Sequence, residues 1–166
     1  MSGQPRRIED GDEDQREEVM KIGEFLKNTR QRLVICMPDD TLEAAAKSLH
    51  AHGIGAMPVC EIGIRMVGIV SERDLVRILA TAGWDELRNM RVRDVMTKNP
   101  KTLQPEEDMH AAEQLMRRHH FRHVPIVEGG RVMGMLSIRD TQALRLRETE
   151  NEINILRDAV VAARGR

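Results

Sequence analysis

One unit is written twice in this chain. Residues 38–59, PDDTLEAAAKSLHAHGIGAMPV, lie on residues 105–126, PEEDMHAAEQLMRRHHFRHVPI, without a gap. Downstream, MVGIVSERDLVRIL (from Met66) follows VMGMLSIRDTQALRL (from Val132) once the first copy's turn is shortened by one residue. Upstream, IGEFL (22–26) corresponds to VRDVM (92–96), with a longer loop in the first copy. The unit therefore covers roughly 22–82 and 92–147. A repeat this small cannot bury its apolar face alone, so the two copies are expected to share a core.

Each copy reads the same way locally. A proline and acidic pair precede a helix whose apolar positions are Leu42, Ala45 and Leu49, or Met109, Ala112 and Met116. That is helical period, with acids at the end where the helix dipole favours them. Asp40 with Glu43 reads as a capping pair, and Gly53 as a stop. Two β-rich runs follow, 57–62 and 66–70 in the first copy, 124–128 and 132–136 in the second. Gly129-Gly130 signals a hairpin turn. Pro58 and Pro125 are expected at strand starts, where a missing N–H costs least. A second helix begins near Asp74 and near Asp140. The order β-α-β-β-α, twice, is an α+β pattern.

The second copy's last helix does not stop where its counterpart does. It continues through LRLRETENEINILRDAVVAAR, with Leu146, Ile153, Leu156 and Val160 along one stripe. Spacings of three and four make an amphipathic seam, suited either to docking on the helix's own domain or to a dimer contact. The expected organisation is a disordered charged leader (1–18), a first repeat (19–84), a linker (85–91), a second repeat (92–147) and a helical extension (148–166).

Charge and composition exclude several function classes. The formal net charge is −1, so no global basic field holds a phosphate backbone. Trp84, Phe25 and Phe121 are the only aromatics, too few to stack a run of bases. No apolar run approaches the ~20 residues of a membrane span, and the N-terminus lacks the apolar stretch of a signal peptide. Cys36 and Cys60 are isolated and read as reduced thiols packed in strands. A cytoplasmic protein that contacts neither nucleic acid nor membrane is the expectation.

The strand-to-helix junctions carry the chemistry. The first copy has Ser71-Glu-Arg73-Asp74 and the second Ser137-Ile-Arg139-Asp140. Ser-x-x-Asp is a helix capping box, and that role alone accounts for the serine and the aspartate. Capping does not require the arginine found in both copies. Free amides at a helix start also attract anions. A serine there donates to a phosphate, an arginine pairs with one, and a carboxylate accepts both hydroxyls of a ribose diol. The combination suits a nucleotide as well as a cap.

VRDVMT (92–97), FRHVPIV (121–127), MVGIVSERDLV (66–76) and VMGMLSIRD (132–140) together make the chain resemble a tandem pair of CBS domains. The resemblance extends over nearly everything from 22 to 147. It implies two βαββα modules packed through their sheets about a pseudo-twofold axis, with a cleft on either side. Relatives bind AMP, ATP, NAD(H) or S-adenosylmethionine there, and homodimers are usual. By resemblance, Asp74 and Asp140 would hold ribose, while Ser71 and Ser137 would contact ribose or phosphate. Thr97, Asn99 and Pro100 would lie near the adenine or ribose. Arg122 and His123, before Val124 and Pro125, occupy positions that often carry phosphate-binding cations; the first copy has Gly55 and Ala56 there. The two clefts are therefore expected to be unequal, with Asp140 in the better one.

Other candidates carry less. His119, His120 and His123 lack a Cys or carboxylate at ligand spacing, so no metal is expected. Arg117-Arg118 ends a helix, where the dipole favours cations. No phosphate loop, nucleophile motif or metal set supports an enzyme. The expected function is regulatory sensing of an adenosine nucleotide on behalf of a separate protein. The alternative is a structural homodimerisation module with an empty cleft.

Overall fold

The computed structural model describes residues 20–29 and 32–164; the leader expected over 1–18 lies outside the described residues. Helix α1 (Ile22–Thr29) opens the chain, and α2 (Leu42–His52) buries Leu42, Ala45 and Leu49 as their spacing requires. The cap of α2 is not the expected acidic pair. Thr41 accepts from the Ala44 amide at 3.0 Å, while Asp40 turns back to accept from the Met37 amide at 2.7 Å and Glu43 pairs with Lys47. Asp40 is better used closing the turn, because its short carboxylate reaches an amide three residues back. Gly53 ends the helix in the left-handed region, φ 62°.

Strands β1 (Ala56–Glu61) and β2 (Arg65–Ser71) form an antiparallel hairpin. Helix α3 (Glu72–Leu79) follows directly, then α4 (Trp84–Asn89), α5 (Val92–Val95) and the two-residue strand β3 (Thr97–Lys98). The second copy repeats the plan with α6 (Met109–His119), β4 (His123–Glu128), β5 (Arg131–Ser137) and α7 (Ile138–Arg164). The hairpins join in one sheet of order β1-β2-β5-β4, touching through Arg65 and Arg131 at their turn ends, with β3 on β2. The leading strand of each unit shrinks to one bridging residue. Cys36 donates to Pro58 and accepts from Cys60; Leu103 donates to Pro125 and accepts from Val127.

These bonds correct the expected position of the prolines. Pro58 and Pro125 are the third residues of their strands, not the first. Their carbonyls face the short edge contributed by Cys36 or Leu103, so the missing N–H also lies on that side and removes no hairpin bond.

The two cores are built by exchange. One cluster contains Leu42, Leu49, Met57, Val59 and Val70, together with Val92 and Val95 of α5. The other contains Met109, Met116, Val124, Ile126 and Leu136, together with Ile22 of α1. Each leading helix thus completes the other repeat. The backbone bonds are matched: Val92 and Arg93 donate to Asp40 and Pro38, and Ile22 and Gly23 donate to Glu107 and Pro105, all within 2.8–2.9 Å. Arg93 also donates to Asp39. Two glycines permit the approach. A Cβ on Gly68 would meet Met96 Sδ at 2.7 Å and the Thr97 carbonyl at 2.9 Å, and one on Gly134 would meet Leu26 at 2.8 Å.

Candidate functional site

Both strand-to-helix junctions are capping boxes. Ser71 Oγ and the Ser71 amide donate to Asp74 Oδ2 at 2.6 and 3.0 Å; Ser137 Oγ and its amide donate to Asp140 Oδ2, both at 2.7 Å. The second carboxylate oxygens differ. Asp74 Oδ1 accepts from Arg77 Nη2 at 3.2 Å, whereas Ala143 occupies the position matching Arg77 and leaves Asp140 Oδ1 without such a contact.

Each junction opens into a cleft. The first, about 530 Å³, is lined by Ser71, Arg73 and Asp74 from the first repeat. Thr97, Asn99, Pro100 and Lys101 enter from the segment after α5, and Phe121, Arg122, His123 and Pro125 from the second repeat. The second cleft, about 570 Å³, is lined by Ser137, Arg139 and Asp140 with Arg32–Val34 and Gly53–Ala56. Exchange of the leading helices explains the division. Because α5 docks on the first repeat, the chain leaving it through β3 runs along β2 and delivers Thr97 and Asn99 beside Asp74. Asn99 makes this turn with φ 47°, a left-handed conformation that asparagine tolerates better than most residues.

Arg122 and His123 line both clefts, so they do not make one cleft better than the other as the sequence alone suggested. The reason is Gly55. His123 crosses directly over it, so close that a Cβ there would sit 2.8 Å from His123 Cε1 and 3.4 Å from Glu72 Oε2. Glu72, whose counterpart is Ile138, also faces both clefts. Burial pushes the His123 imidazole below the ordinary histidine pKa, aided by Arg122 and Arg139 and opposed by Asp140 and Glu72. The inequality between the clefts lies instead in Thr97, Asn99, Pro100, Lys101 and Phe121, which among the described residues line the first cleft and not the second.

Val124, expected beside a ligand, lines neither cleft and is fully buried in the second core. Alternation along β4 sends Val124 inward and leaves His123 and Pro125 facing the cleft. Arg73 does more than flank the site: its Nη1 donates to the His120 carbonyl at 3.4 Å, reaching the end of α6. Sequence reasoning missed Lys101, Phe121 and Glu72. Phe121 had a signal, being one of three aromatics and next to Arg122, and its ring stacks with His119 at 5.9 Å between centroids. His119 is thereby occupied with an aromatic neighbour, and His120 ends α6 at φ 57° in the position where the first copy has Gly53.

Two exchanged βαββα units with paired junction clefts define a tandem CBS-domain module. The CBS domain family model matches residues 22–81 and 92–141, and the chain belongs to that family. It is 34% identical over 125 residues to a mitochondrial CBS domain-containing protein of Arabidopsis thaliana, a match covering 73% of this chain and 60% of that protein. This chain thus spans less than two thirds of that relative's length. Among solved structures, a CBS-domain containing protein from Agrobacterium tumefaciens superposes with a TM-score of 0.70 at 35% identity, over 76% of this chain and 99% of that one. A CBS domain protein from Pyrobaculum aerophilum, solved in complex with AMP, gives 0.64 at 30% identity, over 73% and 89%. Among the described residues no helix is long and apolar enough to cross a membrane.

Proposed function

We propose that this chain is a regulatory module that senses an adenosine-containing nucleotide in the cleft carrying Ser71 and Asp74, and that it is not itself an enzyme. AMP is the first candidate, supported by the AMP complex of the Pyrobaculum relative. ATP, NAD(H) and S-adenosylmethionine share the adenosine and stand next.

The observation that carries this reading is convergence. Three stretches distant in sequence, 69–74, 97–101 and 119–125, meet around one cleft of about 530 Å³, inside the roughly 300–1,000 Å³ usual for small-molecule sites. Each stretch brings a different chemistry. Asp74 offers a carboxylate for the ribose diol, and Arg77, itself largely solvent-exposed, can leave Oδ1 without burying a charge. Phe121, Ile69 and Pro100 supply apolar surface for a purine. Arg73, Lys101 and Arg122 supply cations for phosphate. The ligand biases a partner only by preferring one of two arrangements of the repeats. A reduced cytoplasmic setting fits the two buried, unpaired thiols.

A thermal-shift panel tests the reading. An adenylate at a hundred times its dissociation constant should stabilise the chain by about 2.7 kcal/mol, and guanylates and inorganic phosphate should do less. No stabilisation by AMP, ATP, NADH or S-adenosylmethionine would favour the second reading, a structural dimerisation module. The observation behind that alternative is the exposed apolar stripe of α7.

A further inference from the structure

Helix α7 belongs to the second repeat only at its start. Thr141 is buried, Leu144 packs on the second core, and Arg145 reaches Glu113 of α6 at 3.4 Å. From Arg145 to Arg164 every position is exposed. That stretch is about 30 Å of helix at 1.5 Å per residue, and helices in proteins draw most of their stability from packing an apolar face. It nevertheless displays Leu146 (61% exposed), Ile153 (43%), Leu156 (66%) and Val160 (50%).

These side chains keep a strict heptad. Leu146, Ile153 and Val160 fall at one core position and Thr149, Leu156 and Ala163 at the other, in steps of three and four. Ile155 and Val161 fall outside this seam. Ile153 and Val160 are β-branched at the first core position and Leu156 is the one leucine at the second, so the central layer has the pairing that favours two parallel strands. The flanking charges select the same order. In a parallel pair Glu152 faces Arg157 of the other copy, and Arg145 faces Glu150, so opposite charges meet on both sides. In the antiparallel register that sets Ile153 against Leu156, Glu152 meets Glu152, Arg157 meets Arg157, and Leu146 is left opposite Ala163.

We propose that residues 145–164 of α7 pair with the same segment of a second copy of this chain as a parallel two-stranded coiled coil. The seam does not depend on which ligand the clefts take. It does connect to them, because the helix that forms it is capped by Ser137 and Asp140 in the second cleft.

The test uses the full chain. Light scattering should give twice 18.9 kDa for the parent and 18.9 kDa for Ile153→Lys with Leu156→Lys, with the strand signal in circular dichroism unchanged because both positions face solvent. Glu152→Arg should weaken the dimer, and Arg157→Glu in the same chain should restore it. Leu146→Cys should cross-link to itself on oxidation, uncomplicated by Cys36 and Cys60, which are buried. A monomeric parent, or a dimer that survives the double lysine variant, overturns the proposal. So does failure of Leu146→Cys to cross-link while a mixture with Ala163→Cys does, since that result means antiparallel helices.

Discussion

Replacing Ile22 by alanine should unsettle the second repeat, not the first to which Ile22 is adjacent in sequence. The side chain is 0% exposed and packs in the cluster of Leu103, Met109, Val124 and Ile126. Losing three carbons forfeits about 2.4 kcal/mol of transfer free energy at ~0.8 per group. The cavity left behind brings the total into the 2–5 kcal/mol range typical of buried Ile→Ala changes. Much of that cavity should stay open, because α1 is pinned by the bonds of Ile22 and Gly23 to Glu107 and Pro105. Urea denaturation reads the total, and amide hydrogen exchange reads the location. Protection should fall first at Leu103, Met116 and Ile126, and stay high at Val59 and Val70. Val92→Ala should give the mirror image. Loss of protection in β1 and β2 on truncating Ile22 would refute the exchanged cores.

Four further outcomes follow from local contacts and burial. Gly55→Ala puts a Cβ 2.8 Å from His123 Cε1, so the ring must move; nucleotide affinity should fall with little change in overall fold, read by titration against circular dichroism. The lowered pKa of His123 means that the unfolded chain takes up its proton first, so stability should hold above about pH 6.5 and decline as the pH drops through it. A protonated His123 would add a cation for phosphate, and because its pKa is lowered, nucleotide affinity should be flat from about pH 7 to 8 and rise only below the ordinary histidine range, a rise that a His123→Gln variant should lose. Burial, with Asp40 nearby, pushes the Cys36 thiol up to about 12, and burial pushes Cys60 to about 11; neither should react with a thiol reagent at neutral pH until the chain unfolds.

Local features of this fold were legible because local rules decide them. Periodicity in 42–49 and 109–116 marked the buried helix faces, and the two Ser-x-x-Asp junctions became the two capping boxes. Register within a helix or hairpin is written in adjacent residues. What a helix packs against is not. Ile22 and Val92 occupy matching positions upstream of their own repeats, and nothing in those segments says that each docks on the other. That one non-local fact decides that Thr97, Asn99 and Pro100 enter the Asp74 cleft, a choice the sequence left open. It is also the reason the nucleotide is proposed for the cleft of Asp74, where the sequence had favoured that of Asp140. Similarly, Arg122 and His123 were visible as cations, but their service to both clefts depends on the bare backbone at Gly55 across the sheet. Thr41 displaced the expected Asp40–Glu43 cap because two capping solutions lay one residue apart.

The most direct test of the central claim is calorimetric titration of AMP into Asp74→Ala and Asp140→Ala side by side. Both variants lose the same capping box, so each controls for the other's effect on the helix start. Removing a carboxylate that accepts the ribose hydroxyls should cost about 1.5–3 kcal/mol, roughly ten- to a hundredfold in affinity. The loss should appear in Asp74→Ala, with Asp140→Ala binding close to the parent. Parental affinity in Asp74→Ala, with the loss in Asp140→Ala instead, would contradict the assignment of the nucleotide to the cleft of Asp74, Thr97 and Phe121.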